Sequence, residues 1–171
     1  MERSNRSLHF LFELKGGNFK MGKVSIKNIS SATTVLTCDS LRLRRELIPG
    51  RSILLDSEAF EEISFEPGIQ TMIEQGFIKV TPADEETKET LSGVISKSNR
   101  IVYSYDEAKE IISKKDYTKF AQALPKASSA TKDNFVKAAI ELNAVDNAFV
   151  DLIKKYCGVD ILKAITLRPA N

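Results

Sequence analysis

Five short runs between Lys23 and Val80 decide the fold: KVSIKNIS (23–30), TTVLTC (33–38), LRLRRELIPG (41–50), RSILLD (51–56) and FIKV (77–80). In the first, Val24, Ile26 and, past Asn28, Ile29 are interleaved with Lys23, Ser25 and Lys27. That alternation marks a half-buried strand. Asn28 to Ala32 is small and polar and reads as a turn. Thr33–Cys38 is rich in β-branched residues and is expected to return as the second strand of a hairpin with the first. Beyond Asp39-Ser40, Leu41, Leu43 and Leu47 point one way while Arg42 and Arg44 point the other. Pro49-Gly50 forces a tight turn, because proline presets φ and glycine accepts a positive one. Arg51–Leu55 is then a further strand.

The segment before FIKV is helical. Ser57, with Glu61 and Glu62 following, suits a helix start. Pro67-Gly68 breaks that helix. Ile69–Gln75 places Ile69, Met72 and Ile73 on one face of a second, and Gly76 suits its C-terminal end. The expected class is α+β: a small twisted β-sheet or half-barrel module with two short helices, followed by a small α-helical bundle module. From Asp106 the apolar period is helical. Stripes at Ala108, Ile111 and Ile112, at Phe120, Ala123 and Leu124, at Phe135, Val136, Ala139 and Ile140, and at Phe149, Leu152 and Ile153 give four or five helices. Thr131 and Asp160 are the expected caps. The organisation read from this is a leader or disordered tail over 1–22, an α+β module over 23–81, a linker over 82–105 and a helical module over 106–167.

Size and composition fit that picture. The chain has 171 residues, 42% hydrophobic and 28% charged, which are values of a globular protein. The net charge is only +2, and residues 1–20 carry all of that excess. A protein that binds nucleic acid by neutralising phosphates has a larger one, so nucleic acid is not the favoured partner. Two distant cysteines, Cys38 and Cys157, and a single histidine, His9, cannot supply an intrachain zinc site. No apolar run reaches the roughly 18 residues of a membrane span.

Lys15-Gly16-Gly17 can be encoded by a purine-rich ribosome-binding sequence, and Met21 follows at the spacing of a start codon. Translation from Met21 is therefore expected. The competing reading is a short strand, SLHFLFEL (7–14), ending in a Gly-Gly turn.

The candidate functional residues are Arg42, Arg44, Arg45 and Arg51. Guanidinium groups on an exposed strand and beside a tight turn suit bidentate contact with carboxylate or phosphate, on an acidic protein partner or a nucleic acid. The plainer alternative is a solvated strand face that guards a sheet edge. Glu58, Glu61, Glu62 and Glu66 read as a solvated helix face, available to pair with the arginines. Tyr103, Tyr105 and Tyr117 read as core packing or an interface patch. No nucleophile elbow, phosphate loop or dinucleotide fingerprint is present. No catalytic residue, metal ligand or cofactor is expected, and the chain is not expected to be an enzyme.

The hairpin KNIS…TTVLT, the strand ending in LIPG, the run EAFEEISFEPGIQTMIEQGFIKV and the C-terminal VDLIKKYCGVDILKAI together resemble a group of uncharacterised small proteins encoded by tailed bacteriophages of Gram-positive bacteria. The similarity runs from Lys23 to Ile165. Pro67-Gly68-Ile69 departs from the Pro-Gly-Gly turn expected there. The resemblance implies a phage context and no particular chemistry. The expected function is protein–protein contact, as a virion structural component. An early regulator or anti-defence protein binding a host protein is the alternative, with a nucleic-acid accessory protein third. The expected location is the virion or host cytoplasm, not the secreted fraction. Neither the partner nor the oligomeric state can be read from the chain.

Overall fold

The computed structural model describes residues 22–85, 87–88 and 100–167. The expectations for residues 1–21 of the leader segment, and for 86 and 89–99 of the linker, lie outside the described residues. Among the described residues five strands in two antiparallel sheets accompany seven α-helices, so the class is α+β.

Strand β1 (Lys23–Asn28) is central to the larger sheet, between β4 (Ser52–Asp56) and β5 (Ile78–Pro82). Strands β2 (Thr34–Cys38) and β3 (Leu43–Leu47) form a separate two-stranded sheet, with Thr34 opposite Leu47 and Cys38 opposite Leu43. The hairpin expected between the first two strands is therefore not formed: β2 pairs with β3, and β1 pairs with β4 and β5. The reason lies at Asn28. Its backbone N–H donates to Arg51 O and its carbonyl accepts from Gly50 N, which commits this end of β1 to β4 and the Pro49-Gly50 turn. Its buried side chain then turns the chain away. Nδ2 donates to Ala32 O at 2.8 Å and to Leu47 O at 2.6 Å, while Oδ1 accepts from Ser30 N at 2.9 Å. Every polar atom of this buried amide is satisfied, as burial requires.

Helices α1 (Ser57–Ser64) and α2 (Pro67–Glu74) close the module. Asp56, not Ser57, is the N-cap of α1, and its carboxylate pairs with the Lys23 ammonium instead of capping. Pro67 opens α2, at a position where its missing N–H costs nothing. Phe60, Ile63 and Ile69 from the helices join Val24, Ile26, Leu36, Leu47 and Ile78 in one apolar cluster.

The helical part holds α3 (Tyr105–Ser113), α4 (Tyr117–Ala123), α5 (Ser129–Glu141), α6 (Asn147–Cys157) and α7 (Ile161–Thr166), with a 3-10 turn at Leu124–Lys126. Local chemistry sets several of these ends. Ser104 and Glu107 make a reciprocal capping box. Asp160 accepts from Lys163 N at 3.1 Å, and Gly158 ends α6 at φ +70°. The cap of α5 is Ser128, not Thr131. Thr131 lies one turn further on, is buried, and accepts from Tyr103 N at 2.9 Å. Phe120 meets Phe135 and Phe149 edge-on, each at 4.9 Å between centroids, at the centre of a second apolar cluster. That geometry suits the quadrupoles of the rings.

The two clusters are joined by hydrogen bonds. Ile29 O accepts from Tyr105 N at 3.0 Å and from Asn134 Nδ2 at 3.0 Å. Gln75 O accepts from Ala130 N at 3.2 Å, and Gln75 Oε1 from Ser129 Oγ and Arg100 Nη1, both at 2.9 Å. Lys137 reaches Ser31 O. At Gly76, with φ +75°, a Cβ would stand 2.7 Å from Ser128 Oγ and 3.2 Å from Val102, so the close approach of the two halves requires glycine.

Candidate functional site

All four candidate arginines are exposed. They follow β3 from one turn to the next. Arg42 is in the β2–β3 turn with φ +48°, so it is not part of the strand and does not continue the alternation that the sequence implied. Arg44 and Arg45 lie within β3, opposite Thr37 and Leu36, and so project to opposite faces of the ribbon. Arg51 follows Gly50 in the next turn, where its N–H donates to Ile48 O and its carbonyl accepts from Asn28 N. The structure thus spreads the arginines along a ribbon about 5 residues, or roughly 16 Å, long. They do not converge on a single pocket.

Arg44 Nη2 is 3.9 Å from Glu46 Oε1, an exposed and loose pair, and Arg45 Nη1 donates to the Arg44 carbonyl at 3.1 Å. Among the described residues no carboxylate lies within ion-pair distance of Arg42, Arg45 or Arg51. The pairing with Glu58, Glu61, Glu62 or Glu66 that the sequence made available does not occur within the chain. Ile48, between Arg45 and Arg51, is 51% exposed. Among the described residues no further strand lies along either outer edge of the β2–β3 pair.

Elsewhere the polar side chains serve the fold. Tyr103 and Tyr117 pack on Phe135 and Phe149, and the Tyr105 hydroxyl bonds Glu141, so the tyrosines belong to the helical core and its rim. Burial works to raise the Glu107 carboxyl, but hydrogen bonds from Ser104 N–H and its hydroxyl, with Lys79 and Lys119 nearby, together hold it below its ordinary value. Cys38 and Cys157 are free thiols. Burial pushes the Cys157 thiol up to about 11, which Lys132 only partly counters. A thiol held neutral in this way is a poor nucleophile.

A cleft of about 50 Å³ between Lys27, Ser30, Gly50 and Tyr105 has room for only a few waters. A wider one of about 290 Å³ lies open beside Lys137, Ile140 and Leu167. Among the described residues no group of three or more His, Cys, Asp or Glu side chains could hold a metal ion, and no helix is long and apolar enough to cross a membrane. Sequence reasoning missed Asn134, whose buried amide holds the two halves together. Nothing local to α5 marks it except a polar residue on an otherwise apolar face. Comparison of the chain with protein-family models, with curated proteins and with solved structures finds no match.

Proposed function

We propose that the chain is a bacteriophage protein that works by protein–protein contact and not by chemical catalysis, as a structural component of the virion. The observation that carries this reading is the arginine ribbon. Arg42, Arg45 and Arg51 are exposed, on and at either end of strand β3, and among the described residues no carboxylate lies within ion-pair distance of them. Arginine is enriched at protein interfaces because its planar fork binds carboxylates bidentately while its stem covers apolar surface. The phage setting rests on the resemblance read from the sequence of residues 23–165, and no compared protein adds to it.

Mass spectrometry of purified particles tests it. A virion component is present in defined copy number, whereas a host-directed regulator is not. Arg42→Glu with Arg44→Glu is expected to fold normally, since both side chains are exposed, and to drop out of particles. Normal incorporation of that double variant would count against the ribbon as the contact. Binding to DNA with a steep salt dependence would instead favour a nucleic-acid accessory role.

A further inference from the structure

We infer that this chain associates with further copies of itself, the arginine ribbon of one copy resting on the acidic face of α1 of another. This deepens the reading above by naming the ribbon's partner, and it rests on that reading only for the ribbon being a contact surface.

The complementary surface is on α1. Glu58, Glu61, Glu62 and Phe65 recur at i, i+3, i+4 and i+7, so they form one stripe, and all four are exposed. The opposite face, Phe60 and Ile63, is buried in the apolar cluster. Phe65 is 67% exposed, which is unusual for so large an apolar side chain. The stripe therefore offers three carboxylates ending in a phenylalanine. The ribbon offers Arg42 at one end, Arg45 within it and Arg51 in the turn that follows, with Ile48 exposed between Arg45 and Arg51. The ribbon carries a net positive charge, its one acid being Glu46 beside Arg44, and the α1 stripe a negative one, each with one large apolar group.

Neither surface is satisfied within the chain. Among the described residues no basic group lies within ion-pair distance of Glu58, Glu61 or Glu62. Carboxylates three and four residues apart on one helix face repel. Glu61 and Glu62 also stand in the last turn, where the helix dipole disfavours them and where no basic residue compensates. A second copy of the chain brings a complement to each. Reciprocal pairing of the two patches across a two-fold axis closes a dimer, and one-way pairing builds a ring or an open filament. Arginine–carboxylate pairs at exposed positions are screened by salt, so the association is salt-sensitive.

Sedimentation velocity on the purified full chain, across protein concentration at low and high salt, is the test. Species larger than a monomer are expected at low salt, with the midpoint concentration rising on the order of tenfold or more at high salt. Two variants are expected to be monomeric alone: Arg42→Glu/Arg45→Glu/Arg51→Glu, and Glu58→Lys/Glu61→Lys/Glu62→Lys. Mixed together they should co-sediment, and a chain carrying both sets should assemble again. This rescue separates loss of contact from loss of fold, which far-UV circular dichroism of each variant checks independently. A wild-type chain that stays monomeric at every concentration at low salt, or reversals that leave its assembly unchanged, would overturn the inference. A monomeric chain that still enters particles overturns it alone. A chain that assembles but is absent from particles overturns the virion reading alone.

Discussion

Replacing Asn134 by Asp tests most directly whether the two halves are held by the bonds described. Asn134 is fully buried. Its Nδ2 donates to Ile29 O and to Tyr103 O, both at 3.0 Å, while its Oδ1 is buried without a partner. Both carbonyls have a second donor, Tyr105 N for Ile29 and the weaker Thr131 Oγ1, at 3.4 Å, for Tyr103. Asn134→Ala thus removes two bonds worth about 1 kcal/mol each but leaves neither carbonyl bare, and it also removes the unpaired Oδ1. A net loss of about 1–2 kcal/mol is expected. Asn134→Asp has nearly the same shape but turns a donor into an acceptor. At pH 7 it places a carboxylate against two carbonyl oxygens in a buried site, for an expected loss of about 3–5 kcal/mol. Burial and the carbonyls favour the protonated form, which can donate one bond. Stability should therefore recover in part as pH falls through the raised carboxyl value. Urea unfolding followed by far-UV circular dichroism at pH 7 and pH 5 measures this. An Asp variant within about 1 kcal/mol of wild type at pH 7, or one equally weakened at both pH values, would refute the hydrogen-bonded joint.

Gly76→Ala should cost more than Gly158→Ala. Both have positive φ, worth about 1–2 kcal/mol, but only at Gly76 does the new methyl meet Ser128 and Val102, so thermal midpoints should separate the two. Ser104→Ala should cost about 1 kcal/mol through loss of the capping box. It should also raise the Glu107 titration seen by NMR, because the hydroxyl bond that helps depress it is gone while the backbone N–H bond at 104 remains. In the wild type that cap's contribution is present above the ordinary carboxylate range and is lost as pH falls through the depressed value. Phe120→Ala should cost about 3–5 kcal/mol in equilibrium unfolding, since a fully buried ring with two edge-on partners leaves a cavity. Cys157 in the folded protein should alkylate slowly at pH 8 and rapidly in urea, as its thiol is held near 11 by burial.

Local signals in the chain carried a large share of the architecture. Strand alternation at Val24 and Ile26, the Pro49-Gly50 turn, Pro67 opening α2, Asp160 capping α7 and Gly158 ending α6 are each written in a few neighbouring residues, because caps, turns and faces depend on nearby side chains and φ. Pairing was not legible. Backbone N–H and C=O groups are the same in every strand, so alternation says which face is buried and not which strand lies alongside. The choice of β4 and β5 over β2 as partners of β1 was made at Asn28, by bonds to Leu47 and Arg51, 19 and 23 positions away. The arginines were visible as a charged run. Their spread along β3, the left-handed turn at Arg42 and their lack of partners on α1 came only from the assembled fold. So did the joint between the two apolar clusters, since Ile29, Gln75, Gly76 and Asn134 are unremarkable alone and acquire a role only when folding brings together polar groups as much as 105 residues apart in sequence.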